Sequence, residues 1–174
     1  ESDAITAVSE NLRMETFKHF DIKKEIEVIV NFVDVSRFQR QPINAFKKVI
    51  APNGERILLH ASNFRKIKRV QDVVKIFAEV NKQIPSKLLF VGDGPERSTA
   101  EDLARELGVC DEIQFVGKQE QMEDIMPIAD LFLLTSEYES FGLAALEAMA
   151  AGVPVVSTNV STCFINISAL KRDN

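Results

Sequence analysis

Two glutamates carry the most informative chemistry in the chain. Glu139 and Glu147 lie in the stretch Ser136-Glu137-Tyr138-Glu139-Ser140-Phe141-Gly142-Leu143-Ala144-Ala145-Leu146-Glu147-Ala148-Met149-Ala150. The apolar run before it, Asp130 to Leu134, reads as a buried strand, and Phe141-Gly142-Leu143 read as a helix start. In an open parallel sheet, ligands bind beyond the carboxyl ends of the strands, which puts Glu139 in the crevice. The N–H groups of Phe141, Gly142 and Leu143 would then point at whatever Glu139 faces. Glu147 sits between Leu146 and Ala148 on a helix that is apolar nearly all round, where a carboxylate is costly to bury without a partner. The hydroxyls of a vicinal diol would serve, because a carboxylate can accept both of their hydrogen bonds. Ordinary explanations exist for each residue alone: a helix N-cap or dipole-favoured anion for Glu139, a partly exposed helical Glu for Glu147. Two glutamates framing one helix N-terminus make those explanations the weaker account.

Two further loops fall at strand ends. Ser62-Asn63-Phe64-Arg65-Lys66-Ile67-Lys68-Arg69 places Arg65, Lys66, Lys68 and Arg69 together in a chain whose net charge is −5. Cations at a ligand edge suggest phosphate binding. Taken without its position, the cluster is better read as a solvated helix start. Gly92-Asp93-Gly94-Pro95 follows a strand and precedes a helix, so its glycines would let backbone approach a ligand; a plain strand-to-helix turn explains them equally well. It is not a dinucleotide fingerprint, because Arg97 occupies the third Gly position, and no Walker loop is present.

These loops need strands to hold them. Five short apolar runs stand out: Arg56–Ala61, Lys87–Val91, Glu112–Val116, Asp130–Leu134 and Val153–Ser157. Most are apolar throughout rather than alternating, which suits strands covered on both faces. Between them Val70, Val73, Val74, Phe77 and Val80 recur at helical spacing, as do Leu103 with Leu107, and Leu143, Leu146 and Met149. Leu107-Gly108 and Ala151-Gly152 read as helix ends. The alternation predicts an α/β fold, a Rossmann-like doubly wound parallel sheet. Ahead of it, Ala4–Val8 reads as a strand followed by a helix capped by Ser9, and Glu25–Val30 as another strand. Residues 39–55 read as a surface connection with a short helix, and Pro52-Asn53-Gly54 as a turn. Residues 161–174 show no periodic pattern.

Composition narrows the function classes. The chain has 174 residues, 45% apolar and 27% charged, with 7 Gly and 6 Pro, which excludes a disordered or low-complexity chain. The acidic balance makes a nucleic acid a poor partner. No apolar run approaches the roughly 18 residues needed to cross a bilayer, and Glu1-Ser2-Asp3 does not begin a signal peptide. Cys110 and Cys163 form no disulfide framework, and His19 and His60 lack spaced metal-ligand partners. A cytoplasmic globular domain is the expectation.

At this point the sequence resembles a family. Ser136 to Val156 fits Ser-x-x-Glu-x-Phe-Gly-x-x-x-x-Glu-Ala-Met-Ala-x-Gly-x-Pro-Val-Val without a break, the long form of the Glu-x7-Glu signature of GT-B retaining glycosyltransferases of family 4. Phe90-Val91-Gly92-Asp93-Gly94-Pro95, Phe115-Val116-Gly117 and Ala129-Asp130-Leu131 resemble family landmarks in the right order. Ala7-Val8-Ser9 and Val30-Asn31-Phe32-Val33-Asp34 resemble the stretch where the chain leaves an N-terminal domain. Asn31-Phe32 and Ser62-Asn63-Phe64-Arg65 look most like the branch that makes N-acetylglucosaminyl-malate, the first step of bacillithiol synthesis.

The resemblance implies binding of a UDP-sugar donor. Glu147 would hold the ribose hydroxyls. Glu139 would face the donor sugar, with Ser140 beside it and the N–H groups of Phe141, Gly142 and Leu143 on sugar and diphosphate. Lys68 would neutralise the diphosphate leaving group, an electrostatic role with no metal and no cofactor. Glu139 and Lys68 are thus the catalytic candidates. Gly92 and Gly94 would belong to the donor loop, and Val116, Gly117 and Lys118 would border the uracil. The family arginine five residues before the lysine is Asn63 here, and Arg65 is the candidate substitute. The reaction would retain anomeric configuration, and no covalent nucleophile is assigned.

The same resemblance divides the chain. Residues 1–40 would be the exit segment of a preceding domain and its link, 41–160 the nucleotide-sugar-binding domain, and 161–174 an atypical or truncated tail. After Asn159-Val160 the family has Gly-Gly and then Pro-Glu, where this chain has Ser161-Thr162-Cys163-Phe164. A small acceptor such as malate would be bound mainly by the preceding domain, which nothing here matches, so the chain alone is expected to bind nucleotide weakly and transfer no sugar. A homodimer is compatible with the family. A non-catalytic nucleotide-sugar-binding domain, or a lipid or polysaccharide acceptor, stays open. A flavodoxin-like regulatory domain does not, because no acidic cluster stands at the first strand end.

Overall fold

The computed structural model describes residues 2–38 and 45–159. The tail 161–174, Cys163 and the first part of the 39–55 connection lie outside the described residues. The chain opens with β1 (Ile5–Ala7), α1 (Glu10–His19) and β2 (Ile26–Val28), and β1 pairs in parallel with β2 as a two-stranded sheet. Ser9 caps α1 as expected: its Oγ accepts from the Leu12 N–H at 3.2 Å. The same hydroxyl donates to the Ser140 carbonyl at 3.1 Å, tying this helix start to the loop that carries Glu139. Replacing Ser9 by Ala removes both bonds and is expected to lower stability by about 1 kcal/mol in urea unfolding.

After α2 (Ala45–Ile50), the sheet is built by β3 (Arg56–Ser62), β4 (Ser86–Gly92), β5 (Ile113–Phe115), β6 (Leu131–Leu134) and β7 (Val155–Ser157), with α3 (Val70–Asn81), α4 (Arg97–Glu106), α5 (Met122–Ile125) and α6 (Leu143–Ala150) between them. All pairings are parallel, in the order β5-β4-β3-β6-β7. Each of the five expected strands is present. Alternate residues face opposite layers: Ile57, Leu59, Leu89, Phe132 and Leu134 join α2 and α6 on one side. Leu58, Leu88, Phe90 and Leu133 join α3 and α4 on the other. Two buried layers explain why the strands read as continuous apolar runs.

The helices differ from the sequence expectation in what they bury. On α6 the buried residues are Ala145, Ala148 and Ala150, while Leu143 is 42% exposed and Leu146 and Met149 are only partly buried. On α4 they are Ala100 and Ala104, with Leu103 partly buried and Leu107 exposed. Small side chains fill the inner face of both helices, and the bulky residues are turned aside. The 39–55 stretch is also less superficial than expected, because Ile50 and Ala51 are buried and Phe46 packs on the core. Gly108 and Gly152 end α4 and α6 with positive φ, as the sequence indicates.

Where β6 begins, beside the start of β3, Asp130 pins the register. It accepts from the Ile57 N–H at 2.9 Å and pairs with Lys47 at 3.2 Å and Arg56 at 3.3 Å. Burial opposes its ionisation, but these three donors outweigh it and hold the carboxyl below its usual range.

Candidate donor site at the sheet switch point

From β3 the chain steps outward through β4 to β5, then returns to the opposite side of β3 as β6. The connections after β3 and β6 therefore run to opposite faces of the sheet, to α3 on one and α6 on the other, and such a switch point is where an open α/β sheet binds its ligand. Lys68 comes from the first loop and Glu139 from the second, and they meet: Nζ stands 2.5 Å from Oε1, with side chains only 20% and 11% exposed. Ser136 Oγ donates to the same carboxylate oxygen at 2.7 Å. The two loops are sewn together along their backbones. Thr135 Oγ1 donates to the Lys68 carbonyl at 2.9 Å, and the Glu137 N–H donates to the Ile67 carbonyl at 2.8 Å. Thr158 Oγ1, beyond β7, donates to the Ser136 carbonyl at 2.5 Å.

The helix start beside this pair is a set of free donors. α6 begins at Leu143 behind Gly142, whose φ of 85° turns the chain in the left-handed region that glycine tolerates. Phe141 thus precedes the helix rather than opening it. The N–H groups of Phe141, Gly142 and Leu143 have no backbone acceptor among the described residues, so they are available to an anion. Ser140 is exposed next to them.

Glu147 lies one turn along α6, half-buried, and its carboxylate makes no hydrogen bond or ion pair among the described residues. Burial raises its titration above the usual carboxylate range, and the Glu123 carboxylate adds to the rise. Glu123 is itself engaged by the Arg37 guanidinium. Nothing in the sequence marks Glu123 and Arg37, which come from separate segments with no motif. A half-buried carboxylate with no partner among the described residues is the condition under which a ligand diol fits.

The remaining candidates are placed unevenly. The structure splits the four cations instead of gathering them. Lys66 and Arg69 line a cleft of about 470 Å³ whose three cations, with Lys75, face three anions, Asp72, Glu96 and Glu137. That cleft has no charge surplus for a phosphate. Asn63 and Arg65 are exposed in the loop after β3.

Gly92 and Gly94 are glycines for a reason the sequence left open. A Cβ on Gly92 would stand 1.8 Å from the Ser62 carbonyl oxygen, and one on Gly94 would stand 2.2 Å from that of Asn63. Their side-chain space is thus filled by the loop after β3 rather than by a ligand. Beside them the Gly92 N–H donates to the Gly117 carbonyl at 2.7 Å. Gly117, with φ 72°, opens onto free space, next to partly buried Val116 and exposed Lys118. No group of three or more His, Cys, Asp or Glu is arranged to hold a metal among the described residues, and no helix among them is long and apolar enough to cross a membrane. Cys110 is exposed and unpaired.

Comparison with known proteins matches residues 43–165 to the family described as "Glycosyl transferases group 1". The chain is 45% identical over 161 residues to the N-acetyl-alpha-D-glucosaminyl L-malate synthase of Bacillus anthracis, covering 92% of this chain and 42% of that protein. It is 30% identical over 164 residues to the alpha-monoglucosyldiacylglycerol synthase of Streptococcus pneumoniae, covering 89% of this chain and 37% of that one. The chain therefore spans less than half the length of these relatives. In fold it is similar to Anabaena Alr3699/HepE, solved in complex with UDP and glucose, with a TM-score of 0.81 at 22% identity over 91% of this chain and 45% of the other.

Proposed function

The chain belongs to the group 1 glycosyl transferases, and from that premise we propose that it forms the donor-binding half of a retaining UDP-sugar transferase. The observation that carries this reading is the meeting of Lys68 and Glu139 across the switch point of the sheet. In the proposed complex Lys68 neutralises the diphosphate, and the N–H groups of Phe141, Gly142 and Leu143 donate to the same oxygens or to the sugar. Glu139 accepts from the sugar hydroxyls, Glu147 from the ribose, and Val116 to Lys118 border the uracil. Asn63 and Arg65 lie on the rim. During transfer the bond between the anomeric carbon and the diphosphate oxygen breaks. The acceptor hydroxyl oxygen bonds to that carbon on the same face and passes its proton to the departing diphosphate oxygen, so that UDP leaves with the electron pair. The protein's part is charge stabilisation of the leaving group.

N-acetylglucosamine as the sugar and malate as the acceptor are the finer proposal. They are supported by the relative from Bacillus anthracis at 45% identity. The relative from Streptococcus pneumoniae, whose name describes a lipid product, keeps a lipid acceptor as the second reading.

Calorimetric titration of UDP, UDP-N-acetylglucosamine and ADP tests the site. Uridine nucleotides are expected to bind more tightly than ADP, and Glu147→Ala to weaken UDP about tenfold, the loss of hydrogen bonds to a charged acceptor. No uridine preference, together with unchanged binding by Glu147→Ala, would overturn the assignment.

A further inference from the structure

His60 lies in the middle of β3 and is fully buried, a polar ring in an otherwise apolar strand interior. Buried polar atoms need partners, and both ring nitrogens have one. Nδ1 is 2.9 Å from the Leu133 carbonyl oxygen, and Nε2 is 2.9 Å from Ser62 Oγ. A carbonyl oxygen only accepts, so Nδ1 carries the proton and Nε2 presents its lone pair. Ser62 Oγ must then donate to Nε2. That leaves its own lone pairs for the Phe64 N–H, which donates to it at 3.3 Å. The tautomer and every donor in the chain Phe64–Ser62–His60–Leu133 are thereby determined.

The location gives this chain its consequence. Pairing of β3 with β6 runs as far as Leu59↔Phe132, and His60 bonds to the next residue of β6, Leu133, where the strands part to open the crevice. At the other end stands Phe64, with φ of 37°, a left-handed conformation costly for a bulky residue. Three contacts hold it there. Its N–H is bound by Ser62, and its carbonyl accepts from the Glu96 N–H at 3.0 Å. Its buried ring packs edge-on against Phe90 at 5.4 Å. The turn at Phe64 directs the chain back through Lys66–Lys68, which is how Lys68 reaches Glu139.

We propose that His60 is a positioning residue of the donor site, setting through Ser62 and Phe64 the loop conformation that delivers Lys68 to the crevice. It touches neither the diphosphate nor the sugar. The inference rests on the donor-site reading above.

Its test measures two things on the intact chain: amide hydrogen exchange of residues 64–68 without ligand, and UDP affinity by calorimetry. Ser62→Ala breaks the middle link at a partly exposed position. It is expected to speed exchange at Phe64 and weaken UDP about tenfold, the loss of one hydrogen bond with its partners left unmatched. His60→Leu is expected to do at least as much. His60→Gln offers Ser62 an acceptor again and is expected to stay within about threefold of wild type at equal urea stability, a rescue that general core packing would not produce. Should His60→Leu not fold, Ser62→Ala and His60→Gln still decide the matter. Wild-type UDP binding with Ser62→Ala unchanged in exchange and affinity overturns the positioning role alone. Absence of UDP binding by wild type overturns the donor-site reading and this inference with it.

Discussion

Lys68→Ala is expected to weaken UDP binding about 100-fold, and Glu139→Gln to leave it equal or make it tighter. Without ligand the two charges neutralise each other at 2.5 Å in a largely water-excluded position. A diphosphate entering this site gains a charge-assisted contact with Lys68, worth roughly 1.5–3 kcal/mol at such sites, and meets repulsion from Glu139. Removing the lysine loses the first term and leaves the second unopposed. Replacing the glutamate by its amide removes the repulsion, frees Lys68 and keeps an oxygen for the Ser136 hydroxyl, which now donates to Glu139 at 2.7 Å. With a full UDP-sugar the order reverses for Glu139→Gln, because a carboxylate that accepts from sugar hydroxyls is lost. Calorimetry with UDP and UDP-N-acetylglucosamine on both variants gives four affinities. If Glu139→Gln weakens bare UDP as much as Lys68→Ala does, then Glu139 serves to hold the lysine and does not face the sugar.

A second large effect is the dependence of stability on pH through His60. Burial lowers its pKa from the ordinary 6.5 to about 4; Lys68 pushes the same way, while the Leu133 carbonyl and Glu139 oppose. Between these two values the unfolded chain binds a proton that the folded chain refuses. Stability therefore rises with pH over this window. The contribution is complete above pH 6.5, falls by about 1.4 kcal/mol per unit below it, and has lost about 3 kcal/mol by pH 4. Glu147, whose pKa is raised, acts with the opposite sign: its contribution is present at low pH and lost as pH rises. Urea unfolding of wild type minus His60→Gln, at steps from pH 4 to 7, isolates the histidine. A flat difference across that range would show that His60 is not held neutral in the fold.

Much of the fold was legible because it depends on short stretches of chain. Apolar runs marked the five strands, the central ones covered on both faces, and Gly108 and Gly152 marked helix ends because each needs a positive φ. Ser9 marked a cap because its hydroxyl reaches an amide only three residues on. Sequence pattern also placed Lys68 and Glu139 in the loops that follow two strands, and Glu147 on the helix after the second of them. It misjudged the buried face of α6, because periodicity shows that a helix has an inner side while packing against the sheet decides whether leucine or alanine fits there. His60 passed as a histidine without metal partners; its signal was its place in an apolar strand interior, where a ring must find two hydrogen bonds.

By itself, then, the sequence determined which elements form, which loops lie at the crevice edge and which family the motif helix resembles. Tertiary structure alone decided what those loops meet. Lys68 and Glu139 are 71 residues apart and come into contact only because β6 returns to the free side of β3. Gly92 is a glycine because the Ser62 carbonyl, thirty residues earlier in the chain, occupies the space beside it. Among the described residues Glu147 has no partner, and the charge that acts on it, Glu123, has the same sign and is already held by Arg37. Local pattern records the energetics of neighbours along the chain, whereas these pairings follow from strand order, a choice made by the packing of the whole sheet.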